Sequence, residues 1–370
     1  MEFRGITIFG GVNITPPPPP PAVSYLWSWG RNHHGQLGLG NTSFYSSPKQ
    51  VGALTTWLDI SEGQEHSMAI KTDGTMWSWG YNFYGALGLG NTTAYSSPKQ
   101  IGALTTWLSI AAGSNHSMAV KTDGTLWTWG YNADGRLGLG DTTVRSSPVQ
   151  VGSDTNWSKI AVGNDHDLAI KTDGTMWAWG TNDSGRLGLG NTTNISSPTQ
   201  IGALTTWSSI AGGENFSMAV KTDGTMWTWG NNGYGRLGLG NTTHQSSPVQ
   251  VGALTNWSSI DGGSDHSLAV KTDGTMWSWG GNYNGRLGLG NSTNYSSPKQ
   301  IGALTTWLTI TAGGYRGMAI KTDGTMWAWG RNSYGHLGLG DTTHRSSPVQ
   351  VGALSTWSKV SAATGTLAIG

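Results

Sequence analysis

Trp27-Ser28-Trp29-Gly30-Arg31-Asn32-His33-His34-Gly35-Gln36-Leu37-Gly38-Leu39-Gly40 returns at Trp77, Trp127, Trp177, Trp227, Trp277 and Trp327, each time 50 residues on. A motif at a fixed period outranks local pattern, because each copy marks a unit that buries its apolar face only against its neighbours. One period, read from Trp107, holds four β segments. Residues 107–111 form a short strand A, and 116–121 alternate with period two as strand B. Asp123-Gly124 supplies a tight hairpin turn into strand C at 126–130. A Gly- and Asn-rich loop then leads to strand D at 146–151, whose Pro148 suits an outer edge.

Four antiparallel strands repeated seven times predict an all-β, seven-bladed β-propeller. The first copy begins at strand C and the last ends after strand B. One blade is therefore expected to take two strands from each terminus, which removes the free edges of an open array. Trp127 and Trp129 share a face, and a small residue always stands between such a pair (Ser28, Ser78, Thr128, Ala178, Thr228, Ser278, Ala328). A buried Trp removes about 150–250 Å² from water, worth on the order of 4–6 kcal/mol, so these rings read as core.

Composition narrows the function. Basic and acidic residues balance at 21 and 20, unlike a protein built to neutralise nucleic-acid phosphates. There is no Cys, which excludes disulfides, thiol catalysis and thiolate-bound zinc. No apolar run is long enough to span a bilayer, and the first residues lack the pattern of a signal peptide.

Three segments are expected. Residues 1–15 are β-prone at Phe3, Ile6, Ile8, Phe9, Val12 and Ile14 and read as an anchoring arm that pairs with a partner, or with a second copy. Residues 16–24 are a linker whose six consecutive prolines would span about 19 Å as polyproline II at ~3.1 Å per residue. Residues 25–370 are the propeller.

The pattern Trp-x-Trp-Gly-x-Asn-x-x-Gly-x-Leu-Gly-x-Gly, then Ser-Ser-Pro, then Gly-x-x-His-Ser-Met-Ala-Val, resembles the regulator of chromosome condensation repeat over residues 25–370. The resemblance implies a seven-bladed propeller that works through its surfaces. Members act in nucleotide exchange on a small GTPase, ultraviolet-B sensing or β-lactamase inhibition. This chain lacks the inserted wedge that the resemblance asks of an exchange factor. It also lacks the Gly-Trp-Arg-His-Thr repeats of the photoreceptor. Near-identical repeats behind an arm and a proline run look more like bacterial and marine phage versions.

Candidate chemistry is sparse. His66, His116, His166 and His266 share one repeat position, too dispersed to converge on a metal, and read as structural or surface groups. Asp73 and its equivalents read as turn residues, and Asn41 and its equivalents, twice replaced by Asp, as Asx-turn staples. No catalytic constellation, metal site or cofactor site stands out. The informative contrast is between repeats. The B–C and D–A loops are nearly constant, whereas the A–B and C–D loops vary and should emerge together on one face. Candidate ligand-binding residues there are Arg31, His33, His34, Tyr81, Phe83, Tyr84, Tyr131, Asp134, Asp183, Tyr234, Tyr283, Arg331 and Tyr334. Acidic residues nearer the axis and arginines farther out predict an acidic centre ringed by basic charge.

The reading at this point is a non-enzymatic propeller displayed through its arm on a larger particle, as a phage or virion fibre, decoration or host-contact protein. Its partners would be other structural proteins and a cell-surface protein or glycan, with no nucleic acid and no membrane insertion. The alternative is a soluble protein-binding regulator or inhibitor, cytoplasmic or secreted without a classical signal.

Overall fold

A computed structural model describes residues 24–370; the arm and the proline run at 1–23 lie outside the described residues. The described residues form seven four-stranded antiparallel sheets, one per repeat. In the repeat read above, the strands run Trp107–Ala112, His116–Lys121, Leu126–Gly130 and Arg145–Gln150. The closing blade joins Leu26–Gly30 and Tyr45–Gln50 to Lys359–Ala362 and Gly365–Ile369. Its central register pairs Leu26 with Ile369 and Gly30 with Gly365. All-β architecture, seven blades and closure by both termini are as the sequence predicts.

The second Trp of each motif is wholly buried, from Trp29 to Trp329. Its indole N–H leaves its own blade and donates to a backbone carbonyl of the preceding one. Trp79 reaches Gln36 at 2.8 Å, Trp129 reaches Ala86 at 2.8 Å, and Trp29 closes the ring on His336 at 3.0 Å. The strand-A Trp packs edge-on against both, as Trp57 does at 6.2 Å from Trp77 and 6.4 Å from Trp79. The small residue between the paired Trp does more than make room. Ser28 and Thr128 donate to the carbonyls of Leu37 and Leu137 at 2.7 Å, tying down the loop that follows.

Asn32 fixes the rest of that loop. Its amide donates to the carbonyls of Asn41 and Ser43, and its Oδ1 accepts from the Leu37 N–H at 2.9 Å. The Asx staple is present in both chemistries: Asn41 accepts from the Ser43 N–H and Asp141 from the Thr143 N–H. Asp73 accepts from both the N–H and the hydroxyl of Thr75, which in turn accepts the Trp77 indole N–H. Every C–D loop therefore leaves a rigid base, and only its tip is free to differ.

The glycines of Gly-x-Leu-Gly serve contact. Gly88 has φ +71°, and a Cβ there would lie 2.8 Å from Trp129 Nε1. Gly102 also has positive φ, at +59°, but faces open space. Gly102→Ala should cost about 1–2 kcal/mol from its backbone alone. Gly88→Ala, which must also displace the indole, should cost about 2–5 kcal/mol. Urea midpoints of the two variants measure the difference.

Candidate functional face

The A–B and C–D loops lie on one face. The Tyr81 N–H donates to Glu65 O at 2.8 Å and the Tyr131 N–H to Asn115 O at 2.9 Å, so each C–D loop starts on the adjoining A–B turn. Together they surround a central funnel of about 640 Å³. Gln64 and Asn164 meet across its mouth at 2.5 Å, and Ser114 also bonds Asn164.

The predicted aromatic residues gather into a few groups. His34, Tyr81, Phe83, Tyr84 and Tyr131 form one run, with centroids 4.7 Å apart for His34–Tyr81, 4.9 Å for Phe83–Tyr84 and 4.4 Å for Tyr84–Tyr131. Phe83, 63% exposed, is its most prominent ring. His33 and Tyr334 belong to a second group centred on Phe44, at 4.6 and 5.1 Å. Tyr234 and Tyr283 meet edge-on at 5.7 Å. Arg331 lies 5.4 Å from the Tyr315 ring, and Arg31 pairs with Glu65 at 3.6 Å. Asp134 pairs with Arg136 at 3.0 Å. Asp183 is exposed, with Arg186 at 3.8 Å. The anchoring residues Phe3, Ile6, Ile8, Phe9, Val12 and Ile14 lie outside the described residues.

Two members of these groups escape the sequence reading. Phe44 was readable, since its repeat position runs Phe44, Ala94, Val144, Asn194, His244, Asn294, His344. Four of those seven residues are structural: Asn194, His244, Asn294 and His344 accept the N–H of Asn182, Asn232, Asn282 and Asn332 at 2.8, 2.9, 2.7 and 3.0 Å. His336 occupies the position of Gln36 and Arg136 and meets the Tyr334 ring at 5.5 Å.

Acids do line the central funnel, among them Glu62, Glu214 and Asp261, but the expected basic ring is only partly present. Arg136, Arg186, Arg236 and Arg286 are buried beneath the aromatic rings, not spread around a rim. Arg136, Arg236 and Arg286 run inward to the acids of the A–B turns. Arg136 bonds Asp165, while Arg236 and Arg286 bracket Asp265 at 2.7 and 3.3 Å. Burial pulls the Arg236 and Arg286 guanidiniums below their usual range, with Asp265 opposing. Side-chain length explains the error: a guanidinium six bonds from its Cα reaches the adjacent turn and neutralises it. At Arg136, Arg236 and Arg286 the face therefore presents rings over internally paired charge.

The repeat-position histidines are wholly buried, not surface groups. His66 and His166 bond the hydroxyls of Ser117 and Ser217 in the next blade, both at 2.8 Å, and His116 meets Asp167 at 2.9 Å. Burial pushes His66 and His266 down to about 3 and His336 down to about 2. These imidazoles are neutral in the fold and protonate in the unfolded chain below about 6.5. Their stabilisation is thus present above pH 6.5 and lost as pH falls toward 3, by about 1.4 kcal/mol per unit for each. Phe216 fills the same position, with Gly213 and Gly263 equivalent beside it. His266→Phe should therefore fold and flatten the loss of urea midpoint between pH 6.5 and pH 4.

Among the described residues, no group of three or more His, Asp or Glu is arranged to hold a metal. The family profile described as "Regulator of chromosome condensation (RCC1) repeat" matches seven times, from residues 25–70 to residues 323–368. One curated relative, the Protein RCC2 homolog of Danio rerio, is 40% identical over 53 residues. That stretch is 14% of this chain and spans 11% of the relative's length. Human WBSCR16 superposes with a TM-score of 0.85 at 20% identity, covering 94% of this chain and 98% of its own. The structure of Kap60 bound to yeast RCC1 (Prp20) gives 0.86 at 21% identity, covering 100% and 94%. Prp20p from Saccharomyces cerevisiae, described with its binding to Gsp1p and histones, gives 0.85 at 22% identity over 94% and 91%. These likenesses carry the fold, and the repeat matches span nearly the whole propeller. The chain belongs to the regulator of chromosome condensation (RCC1) repeat family.

Proposed function

We propose that this propeller is a non-enzymatic, protein-binding regulator whose partner docks on the face built by the A–B and C–D loops. One observation carries the reading: the strong variation between repeats collects on that face, over a frame held constant by backbone bonds. The solved relatives support a protein partner, since Prp20p is described with Gsp1p, histones and Kap60. Exposed Tyr and Phe on rigid loops bring large contact area at low entropic cost, the usual makeup of interface hot spots. Because the arginines beneath are already paired, recognition would come from ring shape and loop amides more than from net charge.

Display on a particle through residues 1–15, as a fibre or decoration protein, is the second reading. It rests on the arm alone, which lies outside the described residues.

Phe83→Ala combined with Tyr283→Ala should leave the urea midpoint unchanged. Protein captured by the immobilised chain should fall at least tenfold, as loss of ~1.4 kcal/mol or more at a hot spot implies. Leu204→Ser with Leu304→Ser, on the opposite face, should capture as wild type does. Equal capture by the aromatic variant, or loss only in the leucine variant, contradicts the reading.

A further inference from the structure

One sector of the funnel departs from the paired charge found elsewhere on the face. In the closing blade Ala363 and Thr364 alone separate Ala362 from Gly365, whereas three residues, Gly163, Asn164 and Asp165, separate the equivalent Val162 and His166. Elsewhere an acid of this turn meets an arginine from the C–D loop of the preceding blade, as Asp165 meets Arg136 and Asp265 meets Arg236 at 2.7 Å. Here both partners are gone: the shortened turn carries no acid, and His336 stands in the arginine's place.

The funnel extends outward at this point. Four C–D loop residues line it, Arg31, Arg331, Tyr334 and His336, and all four belong to the closing blade and the blade before it. Arg31 and Arg331 hold one repeat position, filled in the other blades by Tyr81, Tyr131, Thr181, Asn231 and Gly281. Arg316 and Tyr315 complete the wall of this notch.

Positive charge is in excess there. Among the described residues Arg331 pairs with no carboxylate; its side-chain hydrogen bond runs from Nε to the Ser333 hydroxyl at 3.2 Å, and its guanidinium packs 5.4 Å from the Tyr315 ring. Arg31 is half-buried and has Glu65 at 3.6 Å, a carboxylate it shares with His34 at 3.3 Å. Arg316 is bonded to neutral oxygens, the carbonyls of Ala363 and Gly365 and the Thr366 hydroxyl. Burial raises the Glu62 carboxyl beside it to about 8, so that acid is largely uncharged at neutral pH. Burial, and then the charges of Arg316, Arg331 and Arg31, hold the His336 imidazole at about 2. Three guanidiniums thus act on one neutral histidine, with one shared carboxylate against them.

A guanidinium with open Nη donors takes a two-oxygen anion in bidentate fashion, and its planar stacking on an aromatic ring fixes the direction of that bond. The half-exposed Tyr315 and Tyr334 rings add an apolar wall. Such a wall suits the stem of an amino-acid side chain, which a bare inorganic anion lacks. We propose that this notch receives a carboxylate, the side chain of an Asp or Glu on the docking protein, held by Arg331 with Arg31 beside it. The inference rests on the docking face proposed above and gives that face one charged anchor among its rings.

The chain has ten arginines, so the Nε–H signals of the full chain labelled with [15N]arginine can be resolved, with Arg31→Lys and Arg331→Lys assigning two of them. The probe is the capped peptide acetyl-Gly-Asp-Gly-amide, against its Asn counterpart, which lacks only the charge. The Asp peptide should shift the Arg31 and Arg331 signals saturably, and the Asn peptide should not. Arg331→Gln should weaken the fitted affinity at least about tenfold, as loss of a charge-assisted pair implies. Arg145→Gln, which removes an arginine paired with Asp141 on an outer loop, should leave it unchanged. Phe83→Ala with Tyr283→Ala should also leave it unchanged whatever happens to protein capture, so the notch and the docking face fail separately. Absence of a saturable shift, equal shifts from the Asn peptide, or undiminished binding by Arg331→Gln overturns the proposal. Inorganic phosphate moving the same two signals at lower concentration than the peptide overturns it as well, because the site would then serve a free anion.

Discussion

Seven indole N–H groups, each donating to a carbonyl of the preceding blade at 2.8–3.0 Å, hold this ring together. Burial of the rings supplies most of the energy, on the order of 4–6 kcal/mol each against about 1 kcal/mol for a hydrogen bond. The bonds supply direction, since each indole can satisfy its donor only if the next blade sits at one angle. The acceptor is always a backbone carbonyl, so the side chain at that position is released. Gln36, Ala86, Arg136, Arg186, Arg236, Arg286 and His336 all serve equally. Variation at this one repeat position is thus permitted by how the frame is built.

Ring closure breaks the repeat, and the break is compensated. The last A–B turn is one residue shorter, and Gly365 stands where other blades place His, Phe or Arg. Arg316 fills part of the space from one side, bonding the carbonyls of Ala363 and Gly365 and the Thr366 hydroxyl. Glu62 enters from the other side, accepting from the Gly365 N–H at 3.2 Å and the Ser67 hydroxyl at 2.7 Å. Burial raises the Glu62 carboxyl to about 8 despite the opposing Arg316 charge. Both residues depart from their repeat positions, so the seam is written into the chain where the two ends meet.

Periodicity made the fold readable. Alternation in residues 116–121 and the Asp-Gly turn at 123–124 place strands without tertiary information, and a repeat supplies its own comparison between copies. The face assignment followed from strand order alone. What stayed hidden depended on side-chain reach. Arg236 and Arg286 look like rim charges until the turn carrying Asp265 comes within 3.3 Å of both. His66 reads only as a structural or surface group until Ser117 of the next blade meets its ring. Phe44 sits ten residues beyond the variable cluster in sequence yet 4.6 Å from His33 in space. No local pattern encodes such contacts.

We propose a constant frame with one recognising face. Hydroxyl-radical footprinting of the chain with its captured protein partner reads both faces at once, because aromatic and leucine side chains both oxidise. Protection should fall on Phe83, Tyr84, Tyr234, Tyr283 and Tyr334, while Leu54, Leu104, Leu204, Leu254, Leu304 and Leu354 on the opposite face oxidise as in the free chain. Protection of the leucines with the aromatic residues left reactive would contradict it.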